Sequence, residues 1–361
     1  MAGEGPVTIS VIAASELTED LCRKWRQIQE ADPDLASPYF APEFSAAVGL
    51  VRPDARVAII EDGGKIGFFP FQRGKFGIGK PIGGLLSDYH GLIASKDLAV
   101  DVAGLLRACQ LVAWDFNHLP LSQTVFQGGC RQETSSPVMD LSHGYEAYVS
   151  ERRAAGTEQI KKCGNLIRRV EKELGALRFV EHSPDPDVLK TCLRLKTEQY
   201  LRTGKRDLFA VAWIRELLAR IHQLRSTNFA GMLSALYAGE QLMAVHFGMR
   251  HRAVWHYWFP AYHEEFAKYS PGLLLLLKMA EHAPGMGVSA IDLGQGASFY
   301  KQRLMNRSVP LGVGSVERCT PVTLTRTSFR SLKRLVRRTP LAAPVRRVLD
   351  VMRLRNRASV E

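Results

Sequence analysis

The stretch from Ala253 to Leu304, AVWHYWFPAYHEEFAKYSPGLLLLLKMAEHAPGMGVSAIDLGQGASFYKQRL, constrains the fold of this chain more than any other. Ala253 to Phe259 is rich in aromatic and β-branched residues, the composition of a strand buried on both faces, and Pro260 is expected to end it. Ser270 occupies an N-cap position, and Pro271 fits the first helical position because it lacks an N–H that the helix could not use. The leucines carry that helix to Ala283, Pro284 and Gly285 stop it, and Val288 to Leu293 reads as the next strand. The unit is therefore strand, crossover helix, strand, with the helix opening at the C-terminal edge of the first strand. Backbone N–H groups at Gly272 and Leu273, with the helix dipole behind them, suit a phosphate, and Gly272 lets it approach without a Cβ in the way. The alternative is a helix that merely begins with Ser-Pro-Gly.

Hairpins organise the rest. RVAIIEDGGKIGFFPFQR is strand, glycine turn, strand, and MLSALYAGEQLMAVHFGMR repeats the theme, with Gly63 and Gly239 lying 176 residues apart. This spacing predicts a tandem duplication, of which only the second copy continues into a Ser-Pro-Gly helix start. Ahead of the first hairpin, Leu17, Leu21, Trp25 and Ile28 recur at helical spacing behind a Thr18 or Ser15 cap, and a helix is expected from about Pro42 to Leu50. Behind it, Gly74 to Gly84 reads as turns, since its spacing is not that of a dinucleotide loop. SDYHGLI reads as a strand that places Asp88 and His90 on one face, and Asp97 is expected to cap a helix through Leu111. A basic amphipathic helix from Thr157 to Leu174, two further helices and a last strand from Pro310 to Glu317 follow. Two domains, 1–142 and 143–320, precede a tail, 321–361.

The net charge of +12 is concentrated: residues 326–361 hold eleven Lys or Arg and two acids, leaving +3 for the first 325. A nucleic-acid surface over the folded body is thereby disfavoured, so no DNA partner is expected. No basic region followed by an apolar run opens the sequence, which argues against a signal peptide, and the apolar run Leu273–Leu277 is too short to span a bilayer. Six scattered cysteines without CxxC spacing read as free thiols, and no metal-ligand spacing is present. A cytoplasmic protein is expected.

YSPGLLLLL followed by IDLGQG and FYKQRL resembles the C-terminal half of the CelD-type acetyltransferases, a branch of the GNAT superfamily linked to cellulose and exopolysaccharide synthesis. SPYFAPEF, EDGGKIGFFPF and SDYHGL also fit that family, whose structural cousins are the FemABX peptidyltransferases. The resemblance covers roughly Leu17 to Val316. It implies an α/β fold of tandem GNAT-like domains with mixed twisted sheets flanked by helices. It also implies acetyl-coenzyme A, or another acyl-coenzyme A, as co-substrate, and a sugar or amino-sugar acceptor. In ordinary GNAT enzymes the helix start carries a Q/R-x-x-G-x-G/A loop over the pyrophosphate, whereas here the run is KYSPGL.

On this reading the coenzyme A site is Tyr269, Ser270, Pro271, Gly272 and Leu273, with Lys301 pairing either a phosphate or Asp292. By resemblance, Tyr300 is the acid that protonates the departing sulfur. Asp292, at a strand end, is either a base or the cap of the GQG turn, and His246 is either a base or a hydrogen-bonded core histidine. Asp88, His90 and Tyr257 are candidates for the acceptor side, with a polar edge strand as the alternative for the first two. An aminoacyl-tRNA-dependent transfer, as in the FemABX cousins, requires an RNA-binding surface that the sequence does not show. A non-catalytic partner of a polysaccharide synthase is the third reading. In the tail, Phe329, Leu332, Leu335 and Val336, then Val345, Val348, Leu349 and Met352, recur at helical spacing among arginines. Such a segment docks either on the body or on the anionic inner face of a plasma membrane.

Overall fold

The computed structural model describes residues 7–296, 298–326 and 328. The amphipathic stripe of the tail, and with it the membrane expectation, lies outside the described residues.

In chain order the regular elements are β1 (Thr8–Ala13), α1 (Glu19–Ala31), α2 (Pro42–Val51), β2 (Ala55–Asp62), β3 (Lys65–Arg73), β4 (Ile78–Pro81), β5 (Ile93–Ala94), α3 (Val102–Ala108), β6 (Ala113–Pro120) and β7 (Cys130–Asp140). The second half follows with α4 (Tyr145–Ala154), α5 (Gln159–Leu174), β8 (Leu177–Val180), α6 (Pro186–Arg202), α7 (Ala212–Gln223), β9 (Phe229–Ala238), β10 (Gln241–His251), β11 (Val254–Tyr262), α8 (Pro271–His282), β12 (Ala290–Asp292), α9 (Phe299–Leu304) and β13 (Arg307–Glu317). Twelve strands form one sheet in the order β1-β2-β3-β4-β6-β13-β7-β12-β11-β10-β9-β8, and β5 pairs with β3.

This order is a palindrome. Hairpin β2–β3 corresponds to β9–β10, the parallel pair β4–β6 to the parallel pair β11–β12, and β7 to β13. The duplication read from the glycine turns is thus built as two halves of like topology that exchange their last strands. β7, the end of the first half, pairs with β12 of the second, and β13, the end of the second, pairs with β6 of the first. The two exchanged strands lie antiparallel to each other at the centre of the sheet.

Three apolar clusters cover the faces. On one side, Trp25 of α1, Phe44 and Val48 of α2, Leu189 and Leu195 of α6 and Leu217, Leu218 and Ile221 of α7 form a core common to both halves. On the other, the leucines of α8 pack with Val170 of α5 and Tyr148 of α4 under the second half, and Leu105 and Leu106 of α3 pack under the first. Burying such side chains is worth roughly 1.5–3 kcal/mol each, which is what holds short helices such as α3 in place.

Several local expectations are corrected. Gly74–Gly84 contains β4, which its short length, Gly77 before it and Gly79 within it hid. SDYHGLI is a strand only at Ile93–Ala94; before that, the Gln123 side chain accepts from the Leu92 N–H and donates to the Leu92 carbonyl, both at 2.9 Å, supplying the pairing that a strand partner would. The cap of α3 is Asp101, whose carboxylate accepts from the N–H groups of Ala103 and Gly104, while Asp97 pairs with Lys65. Pro260 does not end β11, because its missing N–H falls where no strand partner follows on the β12 side.

Gly314 of β13 sits where β6, β7 and the β13 bulge converge: a Cβ there would meet the Gly129 carbonyl oxygen at 2.0 Å and Phe116 at 2.9 Å. Gly314→Ala is expected to lower stability by about 3 kcal/mol in urea unfolding, the cost of forcing a methyl group into a filled space. Gly285→Ala, with nothing within 4 Å of the new Cβ, should leave the midpoint unchanged.

Candidate functional site

β11 and β12 run parallel only as far as the pair His256–Asp292. Beyond it β11 continues to Tyr262 while the chain after Asp292 turns away through Leu293 and Gly294, so the sheet opens in a V. A cavity of about 360 Å³ fills this opening, lined by Tyr257, Pro260 and Tyr262 of β11, Ser270 to Leu273 at the start of α8, Gln199 of α6 and Tyr300 of α9. Because α6 and α8 belong to cores on opposite faces of the sheet, the cavity passes through the opening from one face to the other.

At its α8 end the geometry departs from an ordinary capped helix. Ser270 is in the left-handed region, φ 53°, its side chain caps nothing, and its carbonyl accepts from the N–H groups of Leu273 and Leu274. Leu273 therefore does not offer a free donor as expected. The Gly272 N–H has no acceptor among the described residues, and a Cβ at Gly272 would meet only Tyr262, at 3.7 Å. Gly272 is thus the one donor of that turn left open beside the cavity, with space in front of it. Tyr269 lies behind this turn, its hydroxyl donating to Glu173 at 2.5 Å. The Tyr257 hydroxyl donates to the Gly272 carbonyl at 3.4 Å and its ring stacks on His246 at 4.5 Å. His246 is fully buried, its Nε2 accepting the Trp258 N–H at 3.0 Å, and burial holds its pKa well below the ordinary value. Burial also raises the Tyr300 phenol, which therefore keeps its proton at neutral pH.

A second group of side chains lies at the seam of the two halves. The Asp88 carboxylate, from a loop of the first half, accepts from Nε2 of His256 at 3.0 Å and faces Nε2 of His118 at 3.7 Å. On its other side His256 faces Asp292, Nδ1 to Oδ1 3.7 Å. Asp292 in turn accepts from the Tyr89 hydroxyl, from the Ser136 hydroxyl at 2.5 Å and from the Gly294 N–H at 2.8 Å. The result is a chain, carboxylate to imidazole to carboxylate, assembled from the Asp88 loop, β7, β11 and β12. Burial pushes the Asp88 carboxyl up, but the hydrogen bond and charge of His256, with His118 and Lys301 behind them, hold it below its usual range. Asp88 keeps 24% of its side-chain surface exposed, whereas Asp292 keeps 6% and His256 none. Gly294, at φ +70°, allows this approach: a Cβ there would stand 3.1 Å from the Asp88 carboxylate. Lys301 donates to the carbonyls of Gly294 and Gln295 at 3.1 and 3.3 Å; burial lowers its pKa, and Asp88 and Asp292 partly restore it.

The structure therefore brings Asp88, Asp292 and Lys301 together at the seam, and Tyr257, Ser270 to Leu273 and Tyr300 around the cavity. His90 is not with them. Its Nε2 accepts the N–H groups of Asn117 and His118 at 3.1 and 2.9 Å, and burial keeps it neutral. Sequence reasoning missed His256, His118, Tyr89 and Ser136; only the parallel register that sets His256 opposite Asp292 would have pointed to the first of them.

Residues 158–302 match the family model described as "Acetyltransferase (GNAT) domain". No curated protein matches the sequence. Among solved structures the fold is similar to that of FemX, at 10% identity and a TM-score of 0.57, over 88% of this chain and 99% of that one. It is also similar to the C-terminal (DUF2156) domain of a protein assigned as a lysylphosphatidylglycerol synthetase from Agrobacterium fabrum, at 12% identity and a TM-score of 0.55, covering 86% of this chain and 96% of the other. L-PGS from Bacillus licheniformis gives 14% identity and a TM-score of 0.51, over 84% and 94% of the two chains. The fold is that of the GNAT proteins, a mixed sheet flanked by helices, and the chain carries a GNAT-type acyltransferase domain.

His90 and His246, both held neutral by burial, titrate near 6.5 once unfolded. Their stabilising neutrality is complete above that value and is lost as pH falls below it, because only the unfolded chain takes up the protons. Each should remove on the order of 2 kcal/mol between pH 6.5 and 5. Urea unfolding at these two pH values measures the loss, and equal stabilities would contradict the assignment.

Proposed function

We propose that the protein transfers an acyl group from an acyl-coenzyme A to an amino or hydroxyl group of a sugar acceptor, in the synthesis of an exopolysaccharide or cellulose-like polymer. The observation that carries this reading is the cavity through the β11/β12 opening, with the open Gly272 N–H at one end and Tyr300 in its wall. The α8 start fits a phosphate: its dipole favours an anion, one donor is unclaimed, and the space in front is free of side chains. Coenzyme A would bring the activated acyl group as a thioester.

The chain's own residues then have separate tasks. Gly272 and the α8 dipole hold the phosphates, while Tyr257 and Tyr300 line the path of the pantetheine arm. Asp88, ionised and partly exposed, takes the proton of the acceptor as its nitrogen or oxygen bonds to the acyl carbon. His256 and Asp292 orient Asp88 from behind, since the Asp292 oxygens are already occupied by three donors. As the carbon–sulfur bond breaks, Tyr300 gives its proton to the sulfur. His246, sealed in the core, supports Tyr257 by stacking. Of the candidates named from sequence, Asp88 is thus assigned the base role in place of Asp292 and His246. The amino-sugar acceptor and the polysaccharide setting rest on the CelD-type resemblance.

The likeness to FemX favours a second reading, aminoacyl-tRNA-dependent transfer, in which the same seam would receive a different donor. Calorimetry separates the two: acetyl-coenzyme A is expected to bind with a dissociation constant in the micromolar range, and neither charged nor uncharged tRNA should compete with it.

Gly272→Val should abolish acetyl-coenzyme A binding without lowering the melting temperature, because the new side chain enters the cavity and not the core; unchanged affinity would remove the site from α8. Tyr300→Phe and Asp88→Asn should each leave binding intact and slow acetyl transfer to a panel of amino sugars by roughly 100- to 10,000-fold, read as thiol release. A Tyr300→Phe enzyme with wild-type turnover would return that phenol to a structural role.

A further inference from the structure

Lys196 of α6 meets the cavity wall at Pro260. Its Nζ donates to the Pro260 carbonyl at 2.9 Å and lies 5.5 Å from the centre of the Tyr200 ring. Pro260 lines the cavity, and so does Gln199, one turn along the same helix face. An ammonium carries three donors, and no carboxylate pairs with this one among the described residues. The side-chain oxygen of Gln199 is buried without a donor. The Gln199 oxygen is thus unsatisfied beside a cavity that has room for a ligand, and the half-buried ammonium one turn away has a neutral carbonyl and no carboxylate as its partner.

The charge is also uncompensated at longer range. Burial pushes the Lys196 pKa down to about 8; the Cys192 thiol opposes that shift, while Lys205 and Lys301 add to it. Buried cations are ordinarily paired, and the exceptions cluster where an anionic ligand completes the pair. Other faces of the molecule offer less: the hollow between β8 and α8 has His182 and His282 already engaged with backbone groups.

We infer that Lys196 binds an anionic group of coenzyme A, either the thiolate released by the reaction or a phosphate, at the α6 end of the cavity. The inference rests on the acyl-coenzyme A reading above. In the thiolate case the ammonium stabilises the negative charge that builds on the sulfur while the carbon–sulfur bond breaks and Tyr300 gives the sulfur its proton. Charge balances, since the electron pair of that bond goes to the sulfur.

Full-length wild type and Lys196→Met are compared by calorimetry at pH 7.5 with coenzyme A and with desulfo-coenzyme A, which lacks the thiol. The variant is expected to bind coenzyme A roughly ten- to a hundred-fold more weakly. If desulfo-coenzyme A is unaffected, the anion is the thiolate; if both weaken equally, it is a phosphate. Unchanged affinity for both ligands overturns the inference. Without ligand, Lys196→Met should melt at or above the wild-type temperature, because it removes a half-buried charge that no carboxylate balances. A lower melting temperature with unchanged binding would make the lysine structural, and Lys196→Gln repeats the comparison should methionine prevent folding. Failure of the wild type to bind either ligand would instead remove the acyl-coenzyme A reading itself.

Discussion

The antiparallel pairing of β7 with β13, from Arg307 opposite Val138 to Gly314 opposite Cys130, is the interaction on which the site depends. Each of these strands ends one half of the chain and is hydrogen-bonded to the other half, so the two halves share a single sheet and cannot drift apart without breaking two ladders. The exchange also fixes chemistry. The ladder of β7 with β12 sets Ser136 beside Asp292, and the first half lies close enough for Tyr89 and Asp88 to reach Asp292 and His256.

Charge at the seam is balanced by this exchange. A buried and a half-buried carboxylate a single imidazole apart would repel each other in a medium that screens poorly, and removing one partner of such a group is costly. Here His256 sits between them, His118 and Lys301 stand alongside, and Asp292 takes three further donors. The outcome is an asymmetric pair: Asp292 is saturated and immobile, whereas Asp88 retains exposed surface facing the open side. The cavity shows the opposite imbalance, with the α8 dipole at its side, Lys196 held against its wall at Pro260 and no acidic side chain in its lining. One end of the site is thus prepared for anions and the other for a proton to be given up.

What the sequence revealed was local. The two hairpins, α8 and the duplication follow from glycine turns, alternation and a Ser-Pro-Gly start, all signals carried within a dozen residues. The strand exchange was not legible, because nothing in Cys130–Asp140 or Arg307–Glu317 says which edge each strand will join. For the same reason Asp88 and Asp292 could be singled out while their common partner, His256, was not: its role comes from register between strands joined by a crossover. SDYHGL misled because its alternation is that of a strand, and the pairing is supplied by one glutamine side chain.

Exchanged strands also bear on how the chain acquires its structure during synthesis. β6 gains its outer neighbour only when the chain has been made as far as Glu317, and β7 must wait for β12 and β13. The first half therefore leaves the ribosome with an open sheet edge and a strand without a partner, the features that invite pairing with other chains. The segment 158–302, taken alone, would keep that defect permanently, since it contains β12 and neither of the strands that lie beyond it. Although it bears the recognisable acyltransferase signature, it lacks the strand that covers the β12 edge in the full chain.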